Sequence, residues 1–86
     1  MFFFYVLLSE KTGMLYKGHC NELETRLKSH NQGYTKSTKS GRPWRLIYSE
    51  EFSTRDEAIL REKQSKTFRG GKALHALLRK KNLLKN

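Results

Sequence analysis

At 86 residues with a net charge of +10, from 18 Lys and Arg against 8 Asp and Glu, the chain is expected to form one domain with polyanionic partners, nucleic acid before an anionic membrane. A hydrophobic share of 36% that includes five Phe, four Tyr and one Trp excludes a disordered polyelectrolyte. The single cysteine, Cys20, excludes an intrachain disulfide and with it the small stapled secreted folds, so a reducing cytoplasm is expected.

The apolar run Phe2–Leu8 is too short to span a bilayer and reads as a central strand covered on both faces. A turn over Ser9–Gly13 and a second strand over Met14–Gly18 predict an antiparallel hairpin. Side chains alternate along a strand, so Tyr5 and Tyr16 share a face only if odd positions oppose even ones, as with Leu8 opposite Gly13. Asn21 is the expected cap of a helix through Glu22 to about His30, with Glu22 and Glu24 near its positive end. Leu23 and Leu27 form its apolar stripe, and helical geometry sets Arg26 and His30 beside them, aimed inward.

Residues 31–43 read as an exposed basic loop, followed by a third strand over Trp44–Phe52. Thr54 and Glu57 have the spacing of a capping box and open a second helix that reaches about Thr67. Gly70 and Gly71 predict an interruption before a third, shorter helix marked by Leu74, Leu77 and Leu78, which ends in a frayed basic tail. From Lys63 to Asn86 there are eight cations and no acid. The fold expected is a single α+β domain over residues 1–80, a small three-stranded antiparallel sheet flanked by about three helices, with residues 81–86 as the tail.

The residues with chemical potential stand in a particular order: Tyr5-Val6-Leu7, Tyr16-Lys17-Gly18, Asn21-x-Leu23-x-x-Arg26-Leu27-x-x-His30-Asn31-x-Gly33, Arg42-Pro43-Trp44-x-Leu46, Glu51, and Ala58-x-x-x-Glu62-Lys63-x-x-Lys66. No single piece is specific, but the ordered set, over about three quarters of the chain, resembles the GIY-YIG nuclease family. Three departures are visible: the first triplet is Phe4-Tyr5-Val6 rather than Gly-Ile-Tyr, Lys17 stands where Ile is usual, and Cys20 where many members have Thr.

The resemblance implies metal-dependent hydrolysis of phosphodiester bonds in DNA, with one Mg²⁺ or Mn²⁺ held by a single carboxylate, Glu62. It makes Arg26 the grip on a nonbridging phosphate oxygen, and Tyr5 and Tyr16 the groups that orient and deprotonate water, with His30 bonded to one of them. Lys17, His19, Lys36, Lys39, Arg42, Lys63 and Lys66 are the expected nucleic-acid contacts. One small domain offers little base readout, so branched or damaged DNA in repair or recombination is the expected substrate, and a partner protein is a further source of specificity.

Each residue also has a plainer reading. Tyr5 and Tyr16 would serve as core aromatics, Arg26 as the partner of Glu22, and Glu62 as the partner of Lys66. The rival function is a non-catalytic nucleic-acid-binding module on the same scaffold. A zinc site is disfavoured, because His19, Cys20, His30 and His75 lack a chelating spacing.

Overall fold

A run of bulky apolar residues covered on both faces belongs in the middle of a sheet, and the computed structural model, which describes residues 1–84, places it there. Strand β1 (Phe2–Ser9) pairs antiparallel with β2 (Leu15–Cys20) on one side and with β3 (Trp44–Phe52) on the other, in the order β2-β1-β3. Alternation divides the core. Phe4 and Val6 face one side with Leu74 and Leu78, while Tyr5 and Leu7 face the other with Cys20 and Trp44. Each fully buried large apolar side chain of this kind contributes roughly 1.5–3 kcal/mol.

Helix α1 (Leu23–Gln32) covers the Tyr5 face through Leu23 and Leu27. Helices α2 (Arg55–Ser65) and α3 (Phe68–Lys80) cover the Phe4 face, where the Arg61 guanidinium lies 4.9 Å from the centre of the Phe4 ring. A bulge where Val6 pairs with Tyr48 and Leu7 with Leu46 lets Leu46 join the Tyr5 cluster while Ile47 and Tyr48 join the other. None of the helices among the described residues is long and apolar enough to cross a membrane.

Several boundaries differ from expectation for identifiable reasons. The pairing is Leu8 with Leu15, two residues from the expected register, because Ser9–Met14 forms a wider turn in which the Ser9 hydroxyl accepts from the Lys11 and Thr12 amides. Parity is unchanged, so odd still opposes even. Helix α1 starts one residue later, with Glu22 at its N-cap and no side-chain cap, and it runs on to Gln32. Gly33 ends it with φ of 83°, a left-handed conformation that glycine adopts without strain.

The segment expected to be an irregular basic loop contains a 3-10 helix over Lys36–Gly41. Gly70 and Gly71 do not interrupt α3, which at 13 residues is longer than the 11 of α2. A Cβ at Gly70 would sit 1.7 Å from the Gln64 carbonyl, so that glycine permits the tight junction between α2 and α3, and the Thr67 hydroxyl caps it by accepting from the Gly70 amide. The Thr54–Glu57 capping box is present as expected. Leu83 and Leu84 pack against the Phe4 cluster, so this part of the tail is not frayed; residues 85–86 lie outside the described residues.

Candidate active site

Tyr5 is buried in the central strand at 2% exposure, and its hydroxyl lies under Gly18 of β2. A Cβ at Gly18 would come within 2.6 Å of that oxygen, so the glycine of the second triplet makes room for the tyrosine of the first. Tyr16 opposes Leu7 and therefore faces the same side; its ring centre is 6.3 Å from that of Tyr5 and 4.9 Å from that of His30. Tyr16 is half-buried, the more accessible of the two phenols.

His30 is buried in the last turn of α1, and its ring bridges two hydroxyls: Nε2 is 2.9 Å from the Tyr5 oxygen and Nδ1 is 2.8 Å from Thr38 Oγ1. Thr38 donates to the Thr35 carbonyl at 3.3 Å, so it accepts from His30 Nδ1–H, which leaves Nε2 to accept the Tyr5 proton. Burial, reinforced by the charge of Arg26, lowers the His30 pKa below its ordinary value. Burial first, then the nearby Tyr16, pushes the Tyr5 phenol well above the usual range, while Arg26 pulls the other way.

Arg26 departs from expectation. It is exposed and in no ion pair among the described residues, so it is neither turned into the core nor bonded to Glu22. The apolar stripe of α1 is narrow, and a long cation beside it emerges at the boundary with solvent, from which its charge still acts on Tyr5, Cys20 and His30.

Glu62 reaches the sheet from α2. One oxygen accepts from His19 Nδ1 at 2.7 Å and the other from Lys66 Nζ at 2.7 Å, with the carboxylate side chain 19% exposed. Burial alone would raise its pKa, but the bonds from Lys66 and His19 outweigh that and hold it below the usual carboxylate value. His19 pairs with Phe4, on the face opposite Tyr5; because β2 is an edge strand, groups from α1 and α2 both reach its border, and the Glu62 charge acts on Tyr5.

The remaining cations separate. Lys17 donates from Nζ to the Ser65 carbonyl at 3.0 Å, so its charge caps the end of α2 on the face away from the tyrosines. Lys66 is engaged by Glu62, and Lys63 is exposed on α2. Lys36, Lys39 and Arg42 are exposed on or beside the 3-10 helix. Sequence reasoning missed Thr38, the second partner of His30, and Asn31, whose amide donates to the Trp44 carbonyl and whose oxygen accepts from the Trp44 amide. Thr38 gave no signal, being one hydroxyl in a polar stretch, whereas the adjacent His30-Asn31 pair at the end of an amphipathic helix was a visible one.

A hard divalent cation fits this donor set. Among the described residues no three His, Cys, Asp or Glu gather as a metal cluster, but a Mg²⁺ that keeps most of its own waters needs only one ionised carboxylate. Glu62 is held ionised, and the Lys66 that covers one of its oxygens is 53% exposed on a flexible stem.

Residues 1–70 match the GIY-YIG catalytic domain. The UPF0213 protein of Staphylococcus saprophyticus is 45% identical over 65 residues, covering 74% of this chain and 79% of its own, and that of Staphylococcus aureus is 38% identical over 66 residues, covering 76% and 80%. The solution structure of the UPF0213 protein from Bacillus halodurans superposes with a TM-score of 0.52 at 29% identity, covering 90% of this chain and 85% of that one. A nuclease fold, with DNA as its implied substrate and a divalent metal in general use, follows from the match, and the chain belongs to the GIY-YIG catalytic domain family.

Proposed function

We propose that the protein is a Mg²⁺-dependent DNA endonuclease, and the observation that carries this reading is the Tyr5–His30–Thr38 hydrogen-bond chain within the field of Arg26, which is in no ion pair among the described residues. Arg26 binds a nonbridging phosphate oxygen and opposes the charge that grows on it during attack. Tyr16 orients the attacking water from the accessible side. Tyr5 takes a proton from that water as its own moves to His30 Nε2, so the chain gives the proton a defined destination and leaves no phenolate behind. Glu62 would hold the metal, which when bound would supply Lewis-acid stabilisation of the leaving group.

Base readout requires several side chains aimed at a groove, so DNA shape, as in branched or damaged DNA of repair or recombination, is the determinant that suits this domain. His19 and Lys66 contact the phosphate or yield Glu62 to the metal; Lys17 supports α2.

A specific observation favours the rival binding module: both Glu62 oxygens already have cationic or N–H partners at 2.7 Å. Glu62→Gln separates the readings. Cleavage of single-stranded, duplex, flap and junction DNA is measured with and without Mg²⁺, and DNA affinity is measured without metal. The nuclease reading expects Mg²⁺-dependent cutting of at least one form, reduced by orders of magnitude in the variant while binding is retained. A native protein that cuts nothing, with a variant that binds equally well, establishes the binding module instead.

A further inference from the structure

The stretch that follows α1 has features the phosphodiester site does not use. Gly33 ends α1 in a left-handed conformation, the Tyr34 amide is tied to the Ser29 carbonyl at 3.2 Å, and Tyr34 is 77% exposed. Beyond it, Lys36, Lys39 and Arg42 join Lys11 of the β1–β2 turn around an open depression of about 730 Å³, which Asn31, Ser40 and Pro43 complete. No acid lines it, and none of its four cations is in an ion pair among the described residues.

The frame under these side chains is tied together by buried hydrogen bonds. Thr38 is fully buried against His30, the Trp44 indole donates to the Thr38 carbonyl at 2.7 Å, and the Ser9 hydroxyl donates to the Gly41 carbonyl at 2.6 Å. Arg42 is held by its Nε bond to the Lys39 carbonyl at 2.9 Å, with its guanidinium against Gly33. Four cations gathered on this frame, with no ion-pair partner among the described residues, repel one another, and a chain of phosphates removes that repulsion.

We propose that this depression and Tyr34 form a binding site for an unpaired DNA strand, the ring stacking on one base while Lys11, Lys36, Lys39 and Arg42 hold the phosphates. A duplex keeps its base faces inside its own stack and offers none to an exposed tyrosine, whereas every base of a single strand has one. The choice of DNA rests on the nuclease reading above, and the site narrows the substrate to DNA with an unpaired arm next to the cleavage point. Thr38 belongs to this frame and also bonds to His30, so the strand site and Tyr5 share one hydrogen-bonded support.

The test is equilibrium binding without metal, by fluorescence anisotropy, to an oligothymidylate of about a dozen nucleotides and to a blunt duplex of similar length. Tyr34→Ala is expected to weaken single-strand binding about tenfold while duplex binding stays within about twofold, and Tyr34→Phe to restore it. Replacing Lys36, Lys39 and Arg42 with Gln is expected to make the log-log salt slope for the oligothymidylate shallower by about 2. Tyr34 is exposed, so a far-ultraviolet spectrum unchanged from the native one checks that the fold is kept. The proposal is overturned if Tyr34→Ala binds the single strand as the native protein does, or loses both forms equally. A protein that cuts nothing but shows the Tyr34 effect loses only the nuclease reading, and one that cuts DNA but ignores Tyr34 loses only this inference.

Discussion

The Tyr5 hydroxyl donates to His30 Nε2 at 2.9 Å across 25 positions of sequence, joining the central strand to the helix that covers it. The opposite edge of the same imidazole donates to Thr38 of the 3-10 helix, so three elements meet at one neutral ring. The arrangement has structural and chemical consequences that can be measured separately.

The first concerns pH. Burial, then the Arg26 charge, holds the His30 pKa below its ordinary 6.5, so an unfolded chain takes up a proton that the folded protein refuses. The stability contributed by neutral His30 is therefore full above that ordinary value and is lost as pH falls below it. Urea denaturation at about pH 7.5 and about pH 5.5 is expected to show a loss in the native protein that His30→Gln reduces, with the variant starting about 1–3 kcal/mol lower because Tyr5 and Thr38 lose a buried partner. Equal losses in both proteins would contradict the assignment. The carboxylates with lowered pKa values, Glu50 and Glu62, titrate below 4.5, under this window.

Gly18→Ala places a methyl carbon 2.6 Å from the Tyr5 oxygen and 2.7 Å from its Cζ. Tyr5 has to move, which breaks its geometry with His30, so a stability loss of about 1–3 kcal/mol is expected together with a larger loss of cleavage. Thermal denaturation and a DNA-cleavage assay read the two effects. An alanine variant with native stability and native cutting would show that the close contact has no importance.

Arg26→Gln is expected to behave in the opposite manner. The side chain is exposed and outside any ion pair among the described residues, so stability is expected to change by no more than about 0.5 kcal/mol. Cleavage is expected to fall by about 10²-fold or more, the usual result of removing a donor to developing charge. A variant that unfolds as readily as it loses activity would mark Arg26 as a structural residue.

A second carboxylate in an ion pair, Glu50 of β3, makes a control. Glu50 receives Arg61 Nε at 2.7 Å and Nη2 at 3.3 Å, and it also accepts the Tyr48 hydroxyl, pinning α2 to β3 away from the tyrosine face. Burial, then the bond to Glu50, pushes the Tyr48 phenol up to about 12. Glu50→Gln is expected to cost about 1–2 kcal/mol, to bring the Tyr48 ionisation part of the way back toward its ordinary value in an absorbance titration, and to leave DNA affinity unchanged. A large loss of DNA affinity would instead make this acid part of the nucleic-acid surface.

Local rules reached far into this fold. The continuous apolar run of β1 and the capping box at Thr54 are short-range properties, each visible in a few consecutive residues, whereas the shared face of Tyr5 and Tyr16 follows from the period of two only once the hairpin register is set. The expected inventory of Tyr5, Tyr16, Arg26, His30 and Glu62 came from their order along the chain. What that order cannot express is which partner each side chain takes across the sheet. Lys17 caps α2 because α2 packs against the edge strand, and the same packing commits Glu62 to His19, whereas the Glu62–Lys66 pair is the four-residue helical spacing already visible in the sequence. Gly70 marks a tight corner only when two helices approach within a hydrogen-bond length, and Thr38 becomes a partner of His30 only when the 3-10 helix folds back on α1. Such contacts depend on distances between residues far apart in the chain, which periodicity and propensity leave open and side-chain packing decides.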